Sequence, residues 1–329
     1  MMSCGKVLSH LRLIDWKRTP RTIIHHRSPS WSHPQSPLSP PRSFCPFSTT
    51  PQQGRSQDAP QNSTTKAYHP RRIILVRHGE SLGNVDEATY VSTPDWKVPL
   101  TPRGRAQAQA AGRSLRTLVL DGEDPGALHT MFCYYSPYLR TVETLREMEV
   151  GLRTGDGEGE AAIRVIATRE EPRISEQQFG NFQNVGAIRA AKAERHTFGR
   201  FYYRFRSGES GLDVYSRVSS FIATLMRDCT QYQKAGYDLD RTDVVVVMHG
   251  LSLRLFLMRW FQFGVEVFEN SVNPENAELV VLEKQCNTGE YRWYQLDPVQ
   301  CEKLNLPLES CEPKNIDLRH ISDGDNDGF

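Results

Sequence analysis

Two histidines of this chain each follow an apolar run and precede a glycine. The run Arg77-His78-Gly79 follows the apolar residues 73–76, and His249-Gly250 follows the apolar residues 244–248. A buried strand that ends in a polar, glycine-containing turn places its last side chains at the carboxyl edge of a sheet, where open α/β folds bind ligands. A neutral imidazole can act as a nucleophile, and a guanidinium binds phosphate oxygens two at a time. These residues therefore predict a phosphate site built around a nucleophilic histidine.

A third junction of this kind lies at Ser136-Pro137, directly after the apolar residues 131–135. We expect a helix to begin there, with Ser136 as its cap and Pro137 at its first position. Arg140 then lies one turn into the helix. In isolation it would be an ordinary surface charge, but at this junction its side chain can point back over the sheet edge.

Apolar runs alternate with helical patterns along the chain and predict the elements that must position these residues. The predicted strands are residues 73–76, 131–135, 163–167 and 243–248, with possible edge strands at 279–282 and 291–294. The predicted helices are residues 102–118, capped by Thr101, one from 136, one from 212 to about 232, and 251–261. This alternation favours an α/β fold with three layers, α-β-α, in which helices cover both faces of a mostly parallel sheet.

Composition divides the 329 residues into three parts. Residues 1–66 hold nine of the 40 Lys and Arg residues, nine of the 20 prolines and only two of the 39 acidic residues. A cationic, serine-rich and acid-poor segment is typical of an organelle import signal, so residues 1–67 are predicted to be a disordered leader for mitochondria or plastids. An ordinary disordered tail or an upstream start codon would look the same, and the protein would then be cytoplasmic. We expect one globular domain over residues 68–305 and a flexible tail over 306–329.

Composition also argues against several classes of protein. The seven cysteines are scattered without a Cys-x-x-Cys pair, which disfavours a secreted disulfide framework and a structural zinc site. The globular part lacks a sustained basic stripe, so no nucleic acid partner is expected. No apolar run reaches 18 residues, so no membrane span is expected. The oligomeric state is left open.

Six short motifs occur in an order that resembles one known family, the phosphoglycerate-mutase-like branch of the histidine phosphatase superfamily. The motifs are Arg77-His78-Gly79-Glu80-Ser81-x-x-Asn84, Leu100-Thr101-x-x-Gly104-x-x-Gln107-Ala108, Ser136-Pro137-x-x-Arg140-x-x-x-Thr144, Glu176-Gln177-x-Phe179-Gly180, Gly208-Glu209-Ser210 and His249-Gly250. The resemblance covers roughly residues 70–285 and is greatest to the plant and fungal broad-range phosphatases of that branch. It implies the phosphoglycerate-mutase-like form of the three-layer fold.

The resemblance assigns a role to each of the charged residues. His78 would be the nucleophile that becomes a phosphohistidine, with its other ring N–H held by a backbone carbonyl near Gly79. Arg77 and Arg140 would clamp the phosphate oxygens. Lysine would replace either of them poorly, because it lacks the planar fork of donors.

Three more residues complete the implied site. His249 would be a further donor to the phosphate, and Asn84 a neutral donor, although a turn residue is an alternative interpretation of Asn84. Glu176 would protonate the leaving oxygen and later deprotonate the attacking water. Residues 170 and 171 are competing glutamates that only the family pattern sets aside.

The implied activity is metal-independent and cofactor-free hydrolysis of a small phosphorylated substrate. A cofactor-dependent phosphoglycerate mutase and a mitochondrial phosphoprotein phosphatase or interaction protein of the same fold are the alternatives. Residues 198–205 lack the proline-rich loop of the mutases, which favours hydrolysis, and Arg200, Arg204 and Arg206 would supply either substrate-side charge or surface charge. Metal-dependent hydrolysis by paired histidines is disfavoured by the spacing of the histidines and acids.

Overall fold

The computed structural model of the protein describes residues 69–121, 127–154, 162–180, 184–285 and 293–311. The leader predicted over residues 1–67 lies outside these ranges, as do residues 312–329 of the predicted tail.

The described residues form strands and helices that alternate along the chain. The strands are β1 (Arg72–Arg77), β2 (Leu128–Tyr135), β3 (Ala162–Glu170), β4 (Thr242–Met248), β5 (Leu279–Gln285) and β6 (Trp293–Leu296). The α-helices are α1 (Leu82–Val85), α2 (Thr89–Ser92), α3 (Pro102–Leu120), α4 (Leu139–Arg153), α5 (Val185–Phe198), α6 (Gly211–Lys234), α7 (Gly250–Phe261), α8 (Val265–Asn270) and α9 (Pro298–Lys303). Short 3₁₀ helices cover Asp95–Lys97, Pro172–Ile174, Leu239–Arg241 and Leu308–Ser310.

The strands make one sheet in the order β3-β2-β4-β1-β5-β6. β1, β2, β3 and β4 run parallel, and β5 and β6 run antiparallel to their neighbours. The predicted mostly parallel sheet is therefore confirmed. Because Arg77 of β1 is in register with Met248 of β4, the two residues that follow, His78 and His249, come out side by side at the carboxyl edge.

Alternate side chains of each central strand enter two different cores. In β1, Ile73 and Leu75 pack with residues of α6 and α7, whereas Ile74 and Val76 pack with residues of α3 and α4. β4 is buried along its whole length for the same reason. Helices covering both faces explain why these strands are continuous apolar runs in the sequence, and they confirm the three-layer architecture.

The start of α3 was predicted correctly, whereas the start of α4 was predicted wrongly. α3 begins at Pro102, and its cap Thr101 accepts a hydrogen bond from the Gly104 N–H at 3.0 Å, as predicted. The helix predicted to begin at Ser136-Pro137 starts instead at Leu139, with Tyr138 as its cap. The Ser136 hydroxyl lies 2.8 Å from Nε2 of His249, so this side chain binds a neighbouring strand end rather than capping the helix.

The helix α5 and the packing of residues beyond 305 are among the features that were not predicted. α5 begins after Asn184, whose side chain accepts from the Ala187 N–H, and its Ala-, Arg- and Lys-rich sequence is typical of a helix. At the other end, Leu306 and Cys311 are buried with the core residues, beyond the predicted boundary at residue 305.

Candidate active site

His78 is held with one ring nitrogen free. Its Nδ1 lies 2.7 Å from the carbonyl oxygen of Gly79, and the side chain is only 4% exposed. A carbonyl can only accept, so Nδ1 carries the proton and the lone pair is on Nε2. The predicted carbonyl partner is therefore confirmed, and Nε2 is the atom available for attack.

The turn that carries His78 is fixed to its neighbours through Gly79. Its N–H donates to Thr144 Oγ1 at 3.0 Å, and that hydroxyl donates to the Arg140 carbonyl at 2.6 Å. A Cβ at position 79 would lie 2.4 Å from the carbonyl oxygen of Gly104. Glycine therefore allows the turn to approach the first turn of α3 closely, and Thr144 joins the His78 turn to the helix that carries Arg140.

The environment of His78 favours its neutral form. Burial, assisted by the positive charge of Arg140, holds the pKa of His78 well below its ordinary value. The ring is therefore unprotonated at neutral pH, which is the state that a nucleophilic imidazole requires.

Arg77 and Arg140 both line the cavity beside His78. The Arg77 Nη1 donates to the Pro274 carbonyl at 2.6 Å, while its Nε is buried without a hydrogen-bond partner among the described residues. Arg140 is 3% exposed, and its Nη1 donates to the backbone oxygen of Asp95 at 2.9 Å and to Oδ1 at 2.7 Å. Asp95 thus fixes one nitrogen of Arg140 and leaves the others for a ligand.

His249 lies behind His78 rather than in the cavity wall. The two rings meet edge to face with centroids 5.2 Å apart, and His249 is fully buried. Burial, followed by the charge of Arg140, also holds the pKa of His249 well below its ordinary value. The structure therefore places the second imidazole against the first, with its Nε2 at Ser136 and its Nδ1 buried without a hydrogen-bond partner among the described residues.

Glu176 lies on a loop that is held by an arginine from α6. Arg217 donates to the backbone oxygens of Arg173, Ser175 and Glu176 at 2.7–3.0 Å, and it forms an ion pair with Glu209. The Glu176 carboxylate accepts from the N–H of Gln177 at 3.0 Å and from that of Leu251, in the first turn of α7, at 3.4 Å. Arg217 thereby fixes the backbone on which the carboxylate depends.

The competing acids near Glu176 point elsewhere. Glu171 is buried and forms a two-point ion pair with Arg173, at 2.7 Å to Nε and 2.6 Å to Nη2. Glu170 is exposed at the end of β3. Of the three glutamates, Glu176 is the one that lines the cavity.

Asn84 combines both predicted interpretations. Its Oδ1 accepts from the backbone N–H and the hydroxyl of Ser81, each at 3.0 Å, as a residue that shapes a turn would. The side chain also lines the cavity. Because Oδ1 is occupied, the amide nitrogen is the group that can donate to an anion.

The cavity has a volume of about 780 Å³. Five of the six predicted site residues line it: Arg77, His78, Asn84, Arg140 and Glu176. Further lining residues come from 87–95, before α3, and from α5, whose individual side chains the sequence alone did not assign to the site. The feature that these residues share in the sequence is that they lie in the two long connections that follow His78 and Glu176.

The structure corrects the hypothesis that Arg200, Arg204 and Arg206 supply substrate-side charge. Arg200 bonds to Glu269, Arg204 forms an ion pair with Asp213, and Arg206 is exposed. None of the three lines the cavity. The basic residues that α5 contributes to the cavity wall are instead Lys192 and Arg195.

The two buried histidines make stability sensitive to mild acid. Their pKa values are lower in the folded protein than in the unfolded chain, so the unfolded chain binds more protons below about pH 6.5. The free energy of unfolding should fall by about 1.4 kcal/mol per pH unit for each histidine as pH decreases below 6.5, until the folded pKa is reached.

Urea unfolding at pH 7.5, 6.5 and 5.5 measures this effect. His78→Asn removes one titrating ring and should flatten the dependence between pH 6.5 and 5.5, whereas His196→Asn, at an exposed position on α5, should leave it unchanged. Equal slopes for His78→Asn and the wild-type protein would contradict the assignment.

The described residues contain neither a candidate membrane span nor a candidate metal-binding cluster. None of their helices is long and apolar enough to cross a membrane. No group of three or more His, Cys, Asp or Glu side chains among them lies close enough together to hold a metal ion.

The sequence is similar to those of several known proteins. Residues 73–296 match the model of branch 1 of the histidine phosphatase superfamily. The phosphoglycerate mutase-like protein AT74H of Arabidopsis thaliana is 46% identical over 228 residues, which cover 69% of this chain and 78% of that protein. The broad-range acid phosphatase DET1 of Saccharomyces cerevisiae is 30% identical, covering 68% of this chain and 88% of its own. A solved mycobacterial glucosyl-3-phosphoglycerate phosphatase in complex with VO3 is 21% identical, covers 69% of this chain and 97% of its own, and has a TM-score of 0.47.

Proposed function

The chain belongs to branch 1 of the histidine phosphatase superfamily and is a phosphatase, and we propose that it hydrolyses small phosphomonoesters through a phosphohistidine formed on His78. The observation that carries the proposal is the geometry of that ring. Its Nδ1–H is bound to the Gly79 carbonyl, which leaves the Nε2 lone pair for attack beside Arg77 and Arg140.

In the first step, Nε2 of His78 attacks the phosphorus atom of the ester. An N–P bond forms while the bond between phosphorus and the leaving oxygen breaks, and Glu176 gives its proton to that oxygen. Arg77 and Arg140 neutralise the charge that spreads over the equatorial oxygens in the transition state. His249, whose Nδ1 is buried without a hydrogen-bond partner among the described residues, is a further donor to these oxygens, and Asn84 donates through its amide.

In the second step, water replaces the histidine. The Glu176 carboxylate takes a proton from the water as its oxygen attacks phosphorus, and the N–P bond breaks to release inorganic phosphate. Glu176 is then protonated and His78 is neutral, as they were at the start. The net reaction converts an ester and water into an alcohol and phosphate.

Metal independence is part of the proposal. A metal ion in phosphoryl transfer supplies positive charge to the transferring group. Arg140, buried and always charged, supplies such a charge next to His78, and Arg77 lines the same wall. The Arg77 Nε, buried without a hydrogen-bond partner among the described residues, is a donor that a bound anion would satisfy.

Phosphate release from p-nitrophenyl phosphate by the full-length protein, with and without EDTA, tests the proposal. We expect equal rates in both conditions. Loss of turnover in EDTA that Mg²⁺ or Zn²⁺ restores would contradict metal independence. Faster exchange of phosphate between the carbons of 3-phosphoglycerate, dependent on bisphosphoglycerate, than hydrolysis would identify a mutase instead.

A further inference from the structure

Arg195 is a third guanidinium of the cavity wall, and the proposed chemistry does not use it. It lies on α5, more than a hundred residues along the chain from His78, and its side chain is half-buried. Its Nη1 donates to Gln177 Oε1 at 3.1 Å, and its guanidinium lies over the rings of Phe179, at 5.7 Å, and Phe205, at 5.2 Å. These contacts fix the side chain but use only one of its five N–H donors.

Arg195 forms no ion pair within the described part of the chain. No carboxylate there lies within ion-pair distance of it, whereas its neighbours on α5, Arg189 and Lys192, both form ion pairs with Glu87. Burial, followed by the charge of Arg200, lowers the pKa of Arg195, while Glu176 and Glu269, which lie beyond ion-pair distance, act in the opposite direction. A half-buried guanidinium without a carboxylate in direct contact would gain free energy from an anion bound beside it.

The support under Arg195 is rigid. Gln177 is fully buried, and its Nε2 donates to the Glu209 carbonyl at 2.8 Å while its Oε1 accepts from Arg195. Gln177 also adjoins Glu176, so Arg195 and the proposed proton donor depend on the same loop. A group bound by Arg195 would therefore be positioned relative to the leaving oxygen.

We propose that Arg195 binds a second anionic group of the substrate, so that the preferred substrates are small phosphomonoesters that carry an additional phosphate or carboxylate. This inference rests on the proposed function, because it assigns the transferring phosphate to His78, Arg77 and Arg140. A planar guanidinium with free donors binds either anion in the same way, and the cavity of about 780 Å³ has room for a small sugar or sugar acid. Arg195 is thus a specificity-determining residue.

Two pairs of matched substrates, assayed with the full-length protein, test the inference. Glycerol 3-phosphate and 3-phosphoglycerate differ by a carboxylate, and fructose 6-phosphate and fructose 1,6-bisphosphate differ by a phosphate. We expect a lower KM for the second member of at least one pair, and the pair that shows it identifies the anion. Arg195→Gln should raise that KM by roughly 10- to 100-fold and leave the KM of the first member and kcat within about twofold.

Two further variants separate binding from a structural effect. Arg195→Lys keeps the charge without the planar fork of donors, so its KM for the more anionic substrate should lie between those of Arg195→Gln and the wild-type protein. Arg206→Gln, at an exposed position outside the cavity wall, should match the wild-type protein. The inference would be overturned by equal KM values within both pairs. It would also be overturned if Arg195→Gln raised the KM of both members of a pair by the same factor. Hydrolysis of glycerol 3-phosphate that requires His78 would in that case leave the proposed function intact, whereas failure to hydrolyse any of the four esters or p-nitrophenyl phosphate would overturn both.

Discussion

Replacing His78 by alanine is expected to reduce kcat for phosphomonoester hydrolysis by at least about 10⁴-fold. Loss of a covalent nucleophile removes the two-step route, and the remaining groups position phosphate without a way to accept it. The Arg77 and Arg140 clamp stays in place, so binding of inorganic phosphate should persist in the variant. Phosphate release measured on three chemically different esters, together with phosphate binding by calorimetry, checks both statements.

The control must account for the burial of the ring. His78 packs against His249, so the alanine variant loses contacts, and its folding is checked by circular dichroism and urea unfolding. His196→Ala removes an exposed imidazole from α5 and should retain full activity. Turnover in His78→Ala within tenfold of the wild-type rate, in a folded protein, would remove His78 from the mechanism.

Much of the fold could be predicted because its strands are covered on both faces. Runs such as Val244 to Met248 must be apolar throughout when helices pack above and below, and they are therefore visible in the sequence. Strand ends followed by glycine then located His78 and His249 at one edge. The start of α4 was predicted wrongly because the Ser136 hydroxyl can bind either the helix N-terminus or His249. In the folded protein it binds His249.

The outer part of the site could not be predicted, since it depends on how connections fold. Asp95 reaches Arg140 across 45 positions of the chain, and Arg195 reaches Gln177 across 18. Neither pairing follows the period of a helix or a strand, so no local sequence pattern predicts it. The arginines between 200 and 206 were equally plausible in sequence, and only the packing of that segment against Glu269 and Asp213 distinguishes them from Arg195.

Arg217 illustrates a positioning residue that sequence reasoning missed. Its donors go to the backbone oxygens of residues 173, 175 and 176, and its partner Glu209 also accepts from the Gln178 N–H. Because the loop has no regular secondary structure after Ile174, these bonds replace the ladder that a helix or strand would provide. The proton-transfer group is therefore held by side chains from α6.

Replacing Glu176 by glutamine is expected to trap the phosphoenzyme. p-Nitrophenolate is a good leaving group that needs little protonation, so transfer to His78 should remain fast, whereas hydrolysis needs a base to deprotonate water and should slow by about 10²- to 10⁴-fold. Rapid mixing should then show a burst of p-nitrophenolate close to one equivalent per active site. Quenching in acid and in alkali should recover the phosphate in an acid-labile, alkali-stable form.

Esters with different leaving groups separate the acid role of Glu176 from its base role. With alkyl esters, whose leaving oxygen must be protonated, the first step should also be slow in this variant. Glu176→Gln should therefore show no burst of glycerol from glycerol 3-phosphate. Glu170→Gln, which changes an exposed acid outside the cavity wall, serves as the matched control and should turn over both esters at the wild-type rate. Less trapped phosphoenzyme in Glu176→Gln than in the wild-type protein would move the acid–base role to another residue, because a base whose loss fails to slow hydrolysis of the intermediate cannot be the group that activates water.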